Sequence, residues 1–263
     1  MQKKLKVKPK VLILSGYGLN CEEDTRFAFQ QAGGEATIVH INDLIEKPTM
    51  LKKFQILAAP GGFSYGDDTG SGKAYANKLH SKLGKHIEAF MKRDTLSIGI
   101  CNGFQILTAG GFLPGALAHN DSARYIDRWV DLEAVGESPW LRGIERLSLP
   151  IAHGEGRYVI DESGMAELEK DKAVAFRYVR GDMCTYMDQP ANPNGAMKDI
   201  AGVLSHDGRV LGMMPHPERG ISFFHRPDWQ LQKELVTRAG KKINEKGDGM
   251  VLFENAITYF TTK

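Results

Sequence analysis

The first 110 residues alternate short apolar runs with longer stretches in which apolar and polar positions mix at helical spacing. VLILS (11–15), ATIVH (36–40), QILAA (55–59) and LSIGI (96–100) are continuous or nearly continuous apolar runs of strand length. Strands that are apolar on both sides belong in a sheet covered on both faces, which is the habit of parallel sheets. Between the first two lies EEDTRFAFQQAGG, acidic at its start and closed by glycines. Acidic side chains complement the positive end of a helix dipole and glycine ends the last turn, so this segment reads as a connecting helix. The rhythm is βαβ with right-handed crossovers.

Beyond Gly110 the pattern changes to strand-like pieces with polar turns: RWVDLEAV, RLSLPIAHG, AVAFRYV, and the pair DIAGVLS and RVLGMMPH around His206-Asp207-Gly208. The Asp-Gly step marks that last pair as a hairpin. The expected fold is therefore α/β, a mostly parallel doubly wound sheet extended by antiparallel strands and closed by a helix near Met250 to Phe260. Without a linker, repeat or low-complexity segment, the chain reads as a tail (1–9) and one domain (10–263).

Composition narrows the chemistry. Lys and Arg total 34 against 32 Asp and Glu, so no electrostatic case exists for nucleic acid or an anionic membrane. No run approaches the roughly 18 apolar residues of a membrane span and no apolar signal core opens the chain, which points to the cytoplasm. Cys21, Cys101 and Cys184 are far apart in sequence and lack CxxC spacing, so neither a disulfide framework nor a structural zinc site is expected. A reducing compartment leaves a thiol free for chemistry.

Two glycine-rich stretches imitate nucleotide sites. GDDTGSGK (66–73) ends like a phosphate loop, but Gly66 is one residue too early and Ala74 replaces the magnesium-binding hydroxyl. GYGLNC (16–21) has Cys21 where the third glycine of a dinucleotide fingerprint belongs, and no acidic residue about 20 positions on. Neither is expected to bind a nucleotide.

The chemistry-bearing pattern lies elsewhere. Cys101 follows LSIGI directly, at the carboxyl end of a strand where open sheets bind ligands, with Gly99 and Gly103 two residues either side. A sharp strand-to-helix turn there exposes the sulfur, and the amides that follow can acidify a thiol and hold an oxyanion. Read alone, such a cysteine is more often a small buried residue. MMPHPE (213–218) places His216 in extended geometry before Pro217, and residues i and i+2 of an extended chain point the same way, setting Glu218 beside the imidazole. Thiol, imidazole and carboxylate are the parts of a cysteine triad. Gly61 and Gly62 of PGGFSYGD present open backbone amides suited to an oxyanion hole, and AHGEGRY sets His153 and Glu155 at a strand end near the pocket. His153, Glu155 and His216 lack the HExxH spacing of a zinc site, and no metal is expected.

Together GGFSYGD, GICNGFQIL, AHGEGR, NPNG and MMPHPER resemble the class I, triad-type glutamine amidotransferases, and among them the glutaminase subunits of phosphoribosylformylglycinamidine synthase. The resemblance runs from about Val11 to Phe260 and implies a flavodoxin-like sheet. It implies Cys101 as nucleophile, His216 as general base and acid, and Glu218 as the group that orients the histidine. Gly62 and the Asn102 amide would form the oxyanion hole, and Gln105, Gly61, Gly154 and Glu155 would contact glutamine. It further implies hydrolysis of L-glutamine to glutamate and ammonia through a cysteinyl thioester. The ammonia would serve an ATP-dependent synthetase in purine (IMP) synthesis, with ATP and Mg on that large subunit, no cofactor in this chain, and often a small bridging subunit. Because the pattern starts within about ten residues of Met1, no fused synthetase is expected. The chain differs from the family after GGFSYGD, where DTGSGKAYANK replaces a hydrophobic-basic or small-residue continuation. GDMCTYMDQPANPNG is longer than in compact subunits. A stand-alone cysteine hydrolase or deglycase on a related sheet, and a binding subunit without catalysis, are the competing readings.

Overall fold

The computed structural model describes residues 8–67 and 70–262. In chain order the elements are β1 (Lys10–Ser15), α1 (Glu22–Gln31), β2 (Glu35–His40), α2 (Ile41–Glu46), β3 (Ile56–Ala59), α3 (Lys73–Met91), β4 (Leu96–Ile100) and α4 (Asn102–Ala109). There follow β5 (Ala116–Ala118), β6 (Ile126–Ala134), β7 (Arg146–His153), β8 (Arg157–Val159), α5 (Glu162–Lys170), β9 (Val174–Val179) and α6 (Asp182–Tyr186). The chain closes with β10 (Ile200–Ser205), β11 (Val210–Met213), α7 (Trp229–Arg238) and α8 (Met250–Thr261).

Nine strands form one sheet in the order β2-β1-β3-β4-β11-β10-β9-β6-β7. From β2 to β11 neighbours run parallel, and from β11 to β7 they run antiparallel. This is the doubly wound α/β architecture expected from the apolar runs. Val11 to Leu14 and every residue of β3, β4 and β11 are buried. Each fully buried Val, Leu or Ile contributes about 1.5–3 kcal/mol, so these runs anchor the core. ATIVH departs from that reading. It forms the edge strand β2, where only Val39 is fully buried, because an edge has one neighbour and a less complete cover.

Helix α1 packs with α8 and α3 with α4, one pair for each face, as right-handed crossovers to either side of β1 and β3 demand. Glu22, Glu23 and Asp24 occupy the first turn of α1, and Gly33, at φ +97°, closes its end. The hairpin joins β10 to β11 with Ser205 opposite Val210. Its His206, Asp207 and Gly208 all have positive φ, a longer loop than a two-residue turn. The elements that escaped the pattern include the two-stranded sheet β5-β8, too short to show a period, the helices α5 and α6, and α7, which has no buried residue. Of the expected tail, residues 1–7 lie outside the described residues. Pro9 already joins the sheet, its buried carbonyl accepting from the amide of Glu35 at 2.9 Å.

The antiparallel half curls back over the parallel half. Although β7 ends the sheet, the carbonyl of Pro150 accepts from the amide of His216 at 2.8 Å, just beyond β11. The last residues of β7 thus wall the carboxyl edge of β4 and β11.

Crowding at that edge gives a test. A Cβ on Gly103, in the first turn of α4, would stand 1.8 Å from the carbonyl oxygen of Ala59 at the end of β3. Gly103→Ala therefore overpacks a backbone contact and should lower stability by about 1–3 kcal/mol or more. Gly84→Ala in mid-α3, whose Cβ would meet only His80 at 3.6 Å, should be neutral or stabilising. Urea denaturation of both variants reads the difference.

Candidate active site

Strand pairing brings the expected residues to one edge. Ala59 of β3 lies opposite Gly99 of β4, and Ile100 of β4 opposite Met213 of β11, so the chain after each strand emerges side by side. Gly61 and Gly62 follow β3, Cys101 follows β4 and His216 follows β11. The amide of Cys101 donates to the carbonyl of Met213 at 2.8 Å, tying the second turn to the third.

Cys101 is the sharp elbow foreseen from the glycines around it. It has φ +50° and ψ −107°, and the amides of Phe104 and Gln105 donate back to its carbonyl as α4 begins. Cys101 is 4% exposed, and its sulfur lies 3.6 Å from the carbonyl of Ala152 in β7. His216 and Glu218 are also buried, and Nδ1 of the imidazole lies 2.5 Å from Glu218 Oε1. His216 itself is extended, but Pro217 opens a short 3-10 turn (Pro217–Arg219), so the carboxylate reaches the ring from a turn and not from a straight strand. Pro217 fixes φ as a first helical residue does, which favours that turn.

Burial alone would depress the imidazolium of His216. The negative charges of Glu218 and Cys101 outweigh it and hold its pKa well above the ordinary value. Behind it His153 shows the opposite: burial first, then the charge of His216, pushes its pKa down to about 3. Its Nδ1 donates to Asn120 Oδ1 at 3.1 Å, and the same oxygen accepts from the amide of Gly156. His153 is thereby a neutral wall.

The remaining expected residues divide into two groups. The amides of Gly62 and Asn102 donate to no described residue, and Gly62 sits at φ +153° against Leu19, where a side chain has no room. Gly61 abuts His216: a Cβ there would stand 2.7 Å from its Cε1. Gln105 is tied into the scaffold, accepting from Asn102 Nδ2 at 2.7 Å and donating to the carbonyl of Glu155 at 2.6 Å. With Glu155, Ser71 and Lys73 it lines a cavity of about 370 Å³. Gly154 lies beside Tyr125. Another cavity, of about 770 Å³, lies by the hairpin loop at the opposite edge of the sheet. The imagined zinc set His153, Glu155 and His216 is not gathered among the described residues.

Four residues near the triad escaped sequence reasoning. Phe63 and Tyr125 form an exposed aromatic pair 6.1 Å apart, and burial together with the charge of Cys101 raises the pKa of Tyr125. Cys21, at the start of α1, interacts with the ring of His216, and Arg219 Nη2 donates to its sulfur at 3.0 Å. The signal for Cys21 was its position: GYGLNC turns β1 into a helix at the same sheet edge.

A thiol on a strand-to-helix elbow, a buried imidazole and its carboxylate define the class of cysteine-dependent acyl-transfer enzymes. The model of the CobB/CobQ-like glutamine amidotransferase domain matches residues 8–260, and the chain belongs to that family. It is 44% identical to the phosphoribosylformylglycinamidine synthase subunit PurQ of Methanococcus maripaludis strain C7, over 97% of this chain and 99% of that protein. The PurQ subunit of Dehalococcoides mccartyi is 40% identical over 96% and 98%. Among solved structures, one of PurLQS from Thermotoga maritima superposes with a TM-score of 0.71 at 33% identity, covering 96% of this chain and 99% of that one.

Two titrations follow. The His153 contribution to stability is full above about pH 6.5, its unfolded value, and is lost as pH falls towards about 3. Thermal midpoints of His153→Gln should show less acid sensitivity in that window. For His216 the sign reverses, and its contribution is full below about pH 6.5 and lost as pH rises through the raised value. Removing the carboxylate charge in Glu218→Gln should lower that value, read from the imidazole resonances of labelled protein.

Proposed function

We propose that this chain is the glutaminase subunit of a phosphoribosylformylglycinamidine synthase, releasing ammonia from L-glutamine for a synthetase partner in purine synthesis. The observation that carries the reading is the elbow thiol at one strand end beside the His216–Glu218 pair at the next. The thiolate of Cys101 attacks the side-chain amide carbon of glutamine. The free amides of Gly62 and Asn102 hold the oxyanion, and loss of one such donor costs about 3–4 kcal/mol in the barrier.

His216, charged and held by Glu218, gives its proton to the departing nitrogen, and ammonia leaves. It then takes a proton from the water that attacks the thioester, and glutamate is released. The raised pKa of His216 suits the donor step, since an imidazolium is the form that must be present when the carbon–nitrogen bond breaks. Gln105 and Glu155 border the cavity proposed for the amino-acid end of glutamine.

The chain's residues supply the hydrolysis by themselves, and in this reading ATP and Mg bind the large synthetase subunit. A small bridging subunit completes the complex, which works in the cytoplasm. Among the described residues no helix is long and apolar enough to cross a membrane.

Cys101→Ala should abolish glutamine-dependent synthesis in the reconstituted complex, by a factor of about 10³ or more, while ammonia-dependent synthesis survives. Retained glutaminase turnover in this variant refutes the assignment.

A further inference from the structure

Cys21 gives the active-site edge a second sulfur that the hydrolytic mechanism does not use. Its Sγ, a ring nitrogen of His216 and a carboxylate oxygen of Glu218 lie within 4.8 Å of one another, and all three residues are buried. Two of these side chains also carry unspent capacity. His216 Nε2 and Glu218 Oε2 are buried and have no hydrogen-bond partner among the described residues. A buried polar atom without a partner is costly, so two of them in one cluster mark a place where a ligand gains more than it displaces.

The donor set selects the ligand. One sulfur, one imidazole nitrogen and one carboxylate oxygen suit a borderline or soft divalent ion and exclude Mg²⁺ and Ca²⁺, which take oxygen alone. We propose that Cys21, His216 and Glu218 form a site for Zn²⁺ or a chemically similar thiophilic cation, and that occupancy shuts the glutaminase down.

With bonds of about 2.0–2.3 Å, ligand atoms around zinc stand about 3–4 Å apart, so the side chains need close in by about 2 Å at most. As the metal bonds form, the Cys21 thiol and the imidazolium of His216 each release a proton to solvent. Arg219, already donating to that sulfur at 3.0 Å, remains as the outer partner of the thiolate. Three protein ligands leave a fourth position for water or for Cys101, which interacts with the same ring. The metal takes the lone pair with which His216 would accept a proton, and the imidazole can no longer act as base. Inhibition by this route rests on the glutaminase reading, whereas binding rests on geometry alone.

The experiment separates the two. The full chain is titrated with Co²⁺, whose thiolate bond gives a near-ultraviolet absorption band, and with Zn²⁺ in competition. Wild type and Cys101→Ala should each bind one equivalent with the band present. Cys21→Ser, nearly isosteric and checked for unchanged circular dichroism and thermal midpoint, should lose the band and weaken Zn²⁺ binding by at least about tenfold. In the reconstituted complex the same substitution should raise the Zn²⁺ concentration for half-inhibition of glutamine-dependent synthesis by a similar factor. A band retained in Cys21→Ser, a band lost in Cys101→Ala, or no binding to wild type at about 100 µM overturns the site. A chain that binds Co²⁺ through Cys21 yet lacks glutaminase activity leaves the site standing and refutes only the functional reading.

Discussion

The parallel pairing of β4 with β11 is the constraint on which the rest depends. β10 runs against β4, and the hairpin from β10 to β11 is the reversal that returns β11 to the direction of β4. Had β11 run the other way, His216 would emerge some 13 Å off, at about 3.3 Å per residue over its four residues. With the pairing as it is, one backbone hydrogen bond from Cys101 to Met213 links the thiol's turn to the strand that delivers the histidine. The curl that brings Pro150 onto the amide of His216 then fixes the second turn from above.

On this frame the side chains are arranged for chemistry at some expense in stability. A buried imidazolium and carboxylate lose their hydration, and attraction between them roughly offsets that loss without exceeding it by much. His153, at the end of β7, avoids the problem by staying neutral, and its hydrogen bond to Asn120 settles which nitrogen holds the proton. The two histidines thus share an edge while differing in charge. Packing rather than solvent draws that distinction: a carboxylate contacts one ring, an amide oxygen the other.

The parallel half was legible because every strand buried on both faces announces itself as an unbroken apolar run, and β1, β3 and β4 lie within a residue of the positions read. The edge strand β2 was found but misjudged, since periodicity does not reveal how many neighbours a strand has. Cys101, His216 and Glu218 were legible because glycine and proline restrict the backbone locally, and local geometry then points the side chain. Cys21 was not, because its proximity to His216 and Glu218 depends on which strands lie side by side and how far the sheet curls. The helix α7 was missed because none of its residues is fully buried, so it adds no run to the core pattern. The expectation of a straight Pro-His-Pro-Glu segment failed at Pro217, whose fixed φ serves a turn as readily as a strand.

Cys101 holds a combination of φ and ψ that only glycine adopts without cost. An L-residue forced there stores about 1–3 kcal/mol of conformational energy, kept in place by the carbonyl of Met213 on one side and the first turn of α4 on the other. Selection for the sulfur therefore opposes selection for robustness at this single position. A lineage released from catalysis would gain by drifting to glycine here, so a side chain retained at the bend is itself a record of continued use.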